Sequence, residues 1–168
     1  MILYPDFYLK DVTKITFKML QENNIKGLIL DVDNTLIDYN KHMDKKVKLW
    51  VEDLKKQNIK FCIVSNTNKH DKVKKVSEQL GIPYIFFAKK PFKKGFLNAK
   101  EKMNLKEENI AAVGDQIMTD IIGANRCKMF SILVEPISDK DIFITKVKRP
   151  IEKCIINRYL AKMQKEKE

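Results

Sequence analysis

Apolar residues along this chain gather in short runs that stop abruptly on polar side chains. The sharpest case begins at Leu28-Ile29-Leu30 and meets Asp31-Val32-Asp33-Asn34-Thr35. A continuous apolar run of this kind predicts a buried parallel strand, over 28–33, ending at a site. Similar runs predict strands over 60–64, 84–88, 110–113 and 130–134. Between them the spacing changes to that of helices. Val12, Ile15, Thr16, Met19 and Leu20 share one helical face, and Val47, Trp50, Val51 and Leu54 share another within 44–57. Helices are further expected over 69–80, closed by Gly81 and Pro83, over 94–103, and over 119–127. Strands alternating with helices of this length predict an α/β fold, a mostly parallel sheet with helices on both faces.

Right-handed crossovers would bring the carboxyl ends of these strands to one edge, where open α/β sheets bind ligands. Asp31, Asp33 and Thr35 follow the first predicted strand, and Ser65-Asn66 the second. Lys90-Pro91 follows the third, and Gly114-Asp115 with Thr119-Asp120 the fourth. Alternation along an extended chain would point Asp31 and Asp33 the same way. Two carboxylates so placed can hold a hard cation, attack a phosphorus centre, or divide those tasks. A calcium loop is excluded, because its sixth and twelfth positions fall on Leu36 and His42 instead of Gly and Glu.

With 168 residues, one domain over 1–150 is expected, followed by a distinct tail over 151–168. Cys62, Cys127 and Cys154 are odd in number and far apart, and His42 and His70 are the two histidines. Neither a zinc site nor a disulfide framework is expected, and a reducing cytosol is the default. No signal peptide is expected from the N-terminal residues, and no apolar run approaches the ~20 residues that span a bilayer. The formal net charge of +11 favours anionic partners: nucleic acid, anionic lipid headgroups or phosphorylated substrates. Residues 146–168 hold eight basic and three acidic side chains. There Ile151, Ile155, Ile156, Tyr159, Leu160 and Met163 recur at helical spacing. Such a helix either lies on an anionic membrane surface or packs its apolar stripe on the domain.

The four strand-end motifs, taken in order, resemble those of the haloacid dehalogenase superfamily of aspartate-nucleophile phosphatases, over roughly residues 25–135. The resemblance implies a Rossmann-like fold and assigns roles. Asp31 would be the nucleophile and Asp33 the general acid and base. Magnesium would be held by the Asp31 carboxylate, the Asp33 backbone carbonyl and Asp115. Thr35, Ser65, Asn66 and Lys90 would hold the phosphoryl group, with Asp120 behind them orienting Lys90 or a metal-bound water.

From Asp31 to Ser65 is 34 positions and from Ser65 to Lys90 is 25. One helix and one strand nearly fill each gap, so no independently folded cap is expected, and a large or surface-bound substrate suits the open site.

A closer resemblance covers residues 4–150. Tyr4-Pro5-Asp6-x-Tyr8, Ile25-Lys26-Gly27, Leu30-Asp31-Val32-Asp33-Asn34-Thr35-Leu36 and Gly114-Asp115-Gln116-x2-Thr119-Asp120-Ile121 are similar to the YqeG family of bacterial subclass IIIA phosphatases. That family is similar to the mitochondrial and plastid phosphatidylglycerophosphate phosphatases. It implies a Mg²⁺-dependent enzyme in the cytoplasm, peripheral at the inner face of the plasma membrane, acting on an anionic phospholipid headgroup. Two rival readings also fit an open site and a basic surface. One is a nucleic-acid end phosphatase, which the lack of an interleaved aromatic platform disfavours. The other is a non-enzymatic RNA- or ribosome-associated module.

Overall fold

The computed structural model describes residues 1–138 and 143–167. Six strands form one sheet: β1 (Phe7–Leu9), β2 (Gly27–Leu30), β3 (Lys60–Val64), β4 (Tyr84–Ile85), β5 (Ile110–Gly114) and β6 (Phe130–Val134). Their spatial order is β1-β6-β5-β2-β3-β4, and every pairing is parallel. The central strand β2 is in register with both neighbours, Gly27 lying opposite Lys60 on one side and Ile110 on the other.

The helices are α1 (Phe17–Glu22), α2 (Lys45–Lys56), α3 (His70–Leu80), α4 (Lys93–Met103), α5 (Ile122–Arg126) and α6 (Phe143–Lys165). They cover the sheet on both sides because strand side chains alternate. Leu28, Leu30, Phe61 and Ile63 pack with Val51 and Leu54 of α2 and Val73 of α3. Ile29, Cys62 and Val64 face the other way, into Phe96, Ala99 and Met103 of α4 and Ala124 of α5. Cys62 and Cys127 are buried in that second layer, whereas Cys154 is exposed.

Four departures from the predicted elements have physical reasons. β1 was not expected: it is a three-residue edge strand, too short to show a period, paired along β6. The helix expected from Val12 onward is broken into a 3-10 turn, Val12–Lys14, and α1, because Thr16 caps α1 by accepting from Met19 N at 3.2 Å. β2 stops at Leu30, so Asp31 and Asp33 lie beyond it. The helix expected over 119–127 starts as a π-helical turn, Ile117–Ile121, before α5.

The boundary drawn at residue 150 falls within α6, at Pro150. Ile155 and Ile156 pack on Ile117, Ile121 and Leu133, and Tyr159 meets Tyr4 edge-on at 5.7 Å. Ile151 and Leu160 remain exposed. Glu168, the end of the predicted tail, lies outside the described residues. Among the described residues no helix is long and apolar enough to cross a membrane.

Candidate active site

Asp31 follows the last residue of β2, and its N–H still donates to Val113 O at 3.0 Å, fixing it at the sheet edge. Val32 O then accepts from the N–H groups of Thr35, Leu36 and Ile37, which folds the chain back at once. Thr35, buried by this turn, donates from Oγ1 to Asp31 Oδ2 at 3.5 Å. Asn34 has φ 59, a region that Asn tolerates better than most residues. The alternation expected of Asp31 and Asp33 is lost because the strand has already ended. Asp31 turns inward, its side chain 12% exposed, while Asp33 is 51% exposed and receives Lys72 Nζ of α3 at 2.6 Å.

Lys90 enters from the loop after β4 and is almost wholly buried. Its ammonium lies 2.8 Å from Asp31 Oδ1 and 2.6 Å from Asp120 Oδ1. Asn66 holds this loop in place: its Oδ1 accepts from Lys90 N at 2.6 Å and its Nδ2 donates to Lys90 O at 3.0 Å. The side chain of Asn66 therefore grips the lysine's backbone. Ser65 is buried beside it, and its Oγ accepts from Thr67 N at 3.3 Å.

Asp115 and Asp120 come from the end of β5 and the π-helical turn. Gly114, immediately before Asp115, has to be glycine, since a Cβ there would collide with the Asp120 carboxyl. Asp120 Oδ2 accepts from Gln116 N at 3.1 Å, so both of its oxygens are committed. Asp115 is paired from an unexpected direction: Arg149 Nη2 of α6 donates to its Oδ2 at 2.9 Å. Three residues on, buried Glu152 accepts from Met118 N at 3.0 Å. The segment 115–120 is thus braced by α6 at two points. Sequence reasoning missed both residues, because an Arg and a Glu in a tail of charged side chains carry no local mark.

Three buried carboxylates and few cations set the electrostatics. Burial pushes the Asp31 carboxyl up to about 6, against Lys90, which pulls it down, while Asp120 and Asp33 add to the rise. Burial also raises Asp115 well above the usual carboxylate range, helped by Asp31 and Asp120 and opposed by Arg149. For Lys90 burial acts downward, but Asp120 and Asp31 outweigh it and hold the ammonium above its ordinary value. A divalent cation fits this arrangement. Asp31, Asp115 and Asp120 each place an oxygen within 4.8 Å of the others, those of Asp120 being already engaged by Lys90 and Gln116. Asp115 Oδ1 is buried without a hydrogen-bond partner among the described residues, a costly state that a cation would relieve. An all-carboxylate set suits a hard, oxygen-preferring ion. The Asp33 carboxylate, turned to Lys72, stands outside the trio.

Solved structures share this architecture. The cobalt-bound deoxy-D-mannose-octulosonate 8-phosphate phosphatase of Haemophilus influenzae superposes with a TM-score of 0.53 at 17% identity, covering 82% of this chain and 90% of that one. An uncharacterised protein of Listeria monocytogenes gives 0.57 at 21%, covering 70% and 85%. At these identities the likeness is one of fold. In sequence, the chain is 42% identical to the probable phosphatase YqeG of Bacillus subtilis over 154 residues, 91% of this chain and 89% of the relative. Fold and relatives together define a phosphatase with a haloacid dehalogenase-like fold.

The family can be named more closely. The model described as mitochondrial PGP phosphatase matches residues 1–138, and the chain belongs to that family. Phosphatidylglycerophosphate phosphatase 1 of Arabidopsis thaliana, chloroplastic and mitochondrial, is 28% identical over 170 residues. That match takes in 94% of this chain and 48% of the relative, so the chain spans about half of that protein's length.

Proposed function

We propose that the chain is a Mg²⁺-dependent phosphomonoesterase that removes the terminal phosphate of phosphatidylglycerophosphate through an aspartyl-phosphate on Asp31. The observation that carries the chemistry is the placement of Asp31, buried at the sheet edge and 2.8 Å from the Lys90 ammonium. A carboxylate oxygen of Asp31 forms the new bond to phosphorus as the bond to the leaving alcohol breaks. Asp33, half exposed at the mouth, gives the departing oxygen a proton. It then takes one from the water that attacks phosphorus, which frees Asp31 and releases phosphate. Lys90 neutralises the phosphoryl oxygens, with Ser65, Thr35 and the backbone near Asn66 around them. Mg²⁺ held by Asp31, Asp115 and the Asp33 carbonyl would offset repulsion between the nucleophile and the phosphoryl charge. Asp120 acts through Lys90 as a positioning residue.

Family membership favours the lipid substrate, and so does the site's surroundings. Between Asp31 and Ser65 the chain builds α2 and β3, and between Ser65 and Lys90 it builds α3 and β4, with no inserted domain over the edge. The loop that turns Lys90 inward leaves Phe87 53% and Phe92 62% exposed, with Lys89 Nζ 5.0 Å over the Phe87 ring. Exposed aromatics beside lysines suit an anionic lipid–water interface. The enzyme would work in the cytoplasm, at the inner face of the plasma membrane.

The test is phosphate release from phosphatidylglycerophosphate in anionic vesicles, beside an aryl phosphate and 5′- and 3′-phosphorylated oligonucleotides. The wild type should prefer the lipid, and Asp31→Asn should lose on the order of 10⁴-fold or more in turnover. Hydrolysis of the aryl phosphate alone would remove the lipid while keeping the chemistry. Preference for the oligonucleotides would install the end-phosphatase reading. Silence on all of them would favour a basic RNA-associated module.

A further inference from the structure

Beside Asp33 lies a groove of about 500 Å³ that the chemistry above leaves without a role. One wall is the turn after Asp33, with Ile37 and Lys41. The other is the start of α3, with Lys69, Asp71, Lys72 and Lys75. With Lys72 paired to Asp33, the remaining Lys41, Lys69 and Lys75 against Asp71 leave it cationic. The N-cap of α3, Lys69, offers no side-chain oxygen to the first-turn N–H groups, so the helix end adds positive potential on the same wall. The groove joins the catalytic edge directly. Lys72 lines it and also holds Asp33, and Ile37 is bridged to Asp33 through the backbone.

Asp33, on the proposed reading, protonates the departing oxygen and therefore marks the side on which the alcohol leaves. An anionic group a few atoms along that alcohol would come to rest among Lys41, Lys69 and Lys75. We infer that this groove is a second anion subsite, which selects phosphate monoesters whose leaving alcohol carries a further phosphodiester or phosphoryl group. The inference rests on that reading of Asp33. The same chemistry is offered by a lipid headgroup and by a soluble compound, so both belong in the test.

Lys69→Gln/Lys75→Gln removes two exposed groove charges. Lys74→Gln/Lys94→Gln removes two exposed charges elsewhere and keeps the same net charge. Turnover is compared on glycerophosphoglycerophosphate, dispersed phosphatidylglycerophosphate, glycerol 3-phosphate and 4-nitrophenyl phosphate. The groove variant should lower kcat/KM for the first, relative to 4-nitrophenyl phosphate, by about tenfold, mainly through KM. The control variant should hold that ratio within about twofold. An equal fall on the dispersed lipid assigns the subsite to the headgroup, and a fall on the soluble compound alone assigns it to free phosphate esters. Equal ratios in the two variants would overturn the inference. So would a wild type that treats glycerol 3-phosphate and glycerophosphoglycerophosphate alike.

A second measurement needs no turnover. Glycerophosphoglycerol, which lacks the scissile phosphate, is titrated against the protein by amide NMR. Shifts at Lys41 and residues 69–75 in the wild type, lost in the groove variant, are expected. Their absence in the wild type would overturn the subsite even if 4-nitrophenyl phosphate is hydrolysed, whereas the phosphatase reading itself stands or falls on that hydrolysis.

Discussion

On the proposed mechanism Asp31 must be an anion to attack phosphorus, yet it sits where burial favours its protonated form. Its carboxyl, lifted to about 6, gives the first prediction. Protons and a divalent cation compete for the same oxygens, so metal affinity should fall once pH drops below about 6. The slope should approach tenfold per pH unit for each proton displaced. Calorimetric Mg²⁺ titrations at pH 7, 6 and 5, in buffers of different ionisation enthalpy, read both the affinity and the proton released. The sign reverses for the metal-free fold. A carboxyl raised above its unfolded value of 3.8 contributes stability that is complete below 3.8 and is lost as pH rises through about 6. Mg²⁺ should therefore stabilise most above pH 6, where the buried anion is otherwise unfavourable. These residues were legible because each stands where an apolar run meets a polar residue, a signal carried within a few positions. The turning apart of Asp31 and Asp33 was not legible, because it depends on β2 ending at Leu30, a register set by β3 and β5.

At the level of elements, legibility followed length and locality. Lys60–Val64 and Phe130–Val134 occur where their apolar runs predict them, and α2 and α3 within a residue of their expected ends. β1 was lost because three half-buried residues show no period. The π-helical turn was lost because Asp120 is drawn to Gly114 and Lys90, a tertiary demand on local winding. The brace from α6 is the largest omission. Arg149 is 34 residues from Asp115, and α6 begins beyond the last residue matched by the family model. Arg149→Met keeps much of the aliphatic stem and deletes the charge. It should destabilise the metal-free protein by about 1–3 kcal/mol, since Asp115 Oδ2 loses a charge-assisted partner. The loss should shrink in saturating Mg²⁺, which supplies positive charge to the same carboxylate. Urea melts of wild type and variant, with Mg²⁺ or with chelator, give the four numbers required. An equal loss in both conditions would show that Arg149 serves α6 packing and not Asp115.

Among the described residues the molecule presents a cationic surface, an edge with no inserted cap, and aromatic side chains on the loop that delivers Lys90. On the proposed lipid reading, charge and aromatics make separable contributions to binding at a bilayer. Lysines attract an anionic surface over roughly the Debye length, so their share should fade as salt rises from 0.05 to 0.5 M. Transfer of Phe87 and Phe92 out of water is insensitive to that change. Phe87 is a favourable place to test this. It is exposed with φ 50, a region where a bulky residue is strained, while its N–H is tied to Thr67 O at 2.9 Å. Phe87→Asn suits that backbone and should preserve or raise the melting temperature while removing the ring. Combined with Phe92→Ser, it should weaken partition onto phosphatidylglycerol-rich vesicles by about tenfold or more, a conservative fraction of what two buried rings supply. The weakening should persist at high salt, where the lysines no longer contribute. Vesicle sedimentation across that salt range distinguishes the alternatives: a defect that vanishes at high salt would mean the rings act only through neighbouring charge, and an unchanged partition would place the bilayer contact on another face, the exposed Ile151 and Leu160 of α6 being next in line.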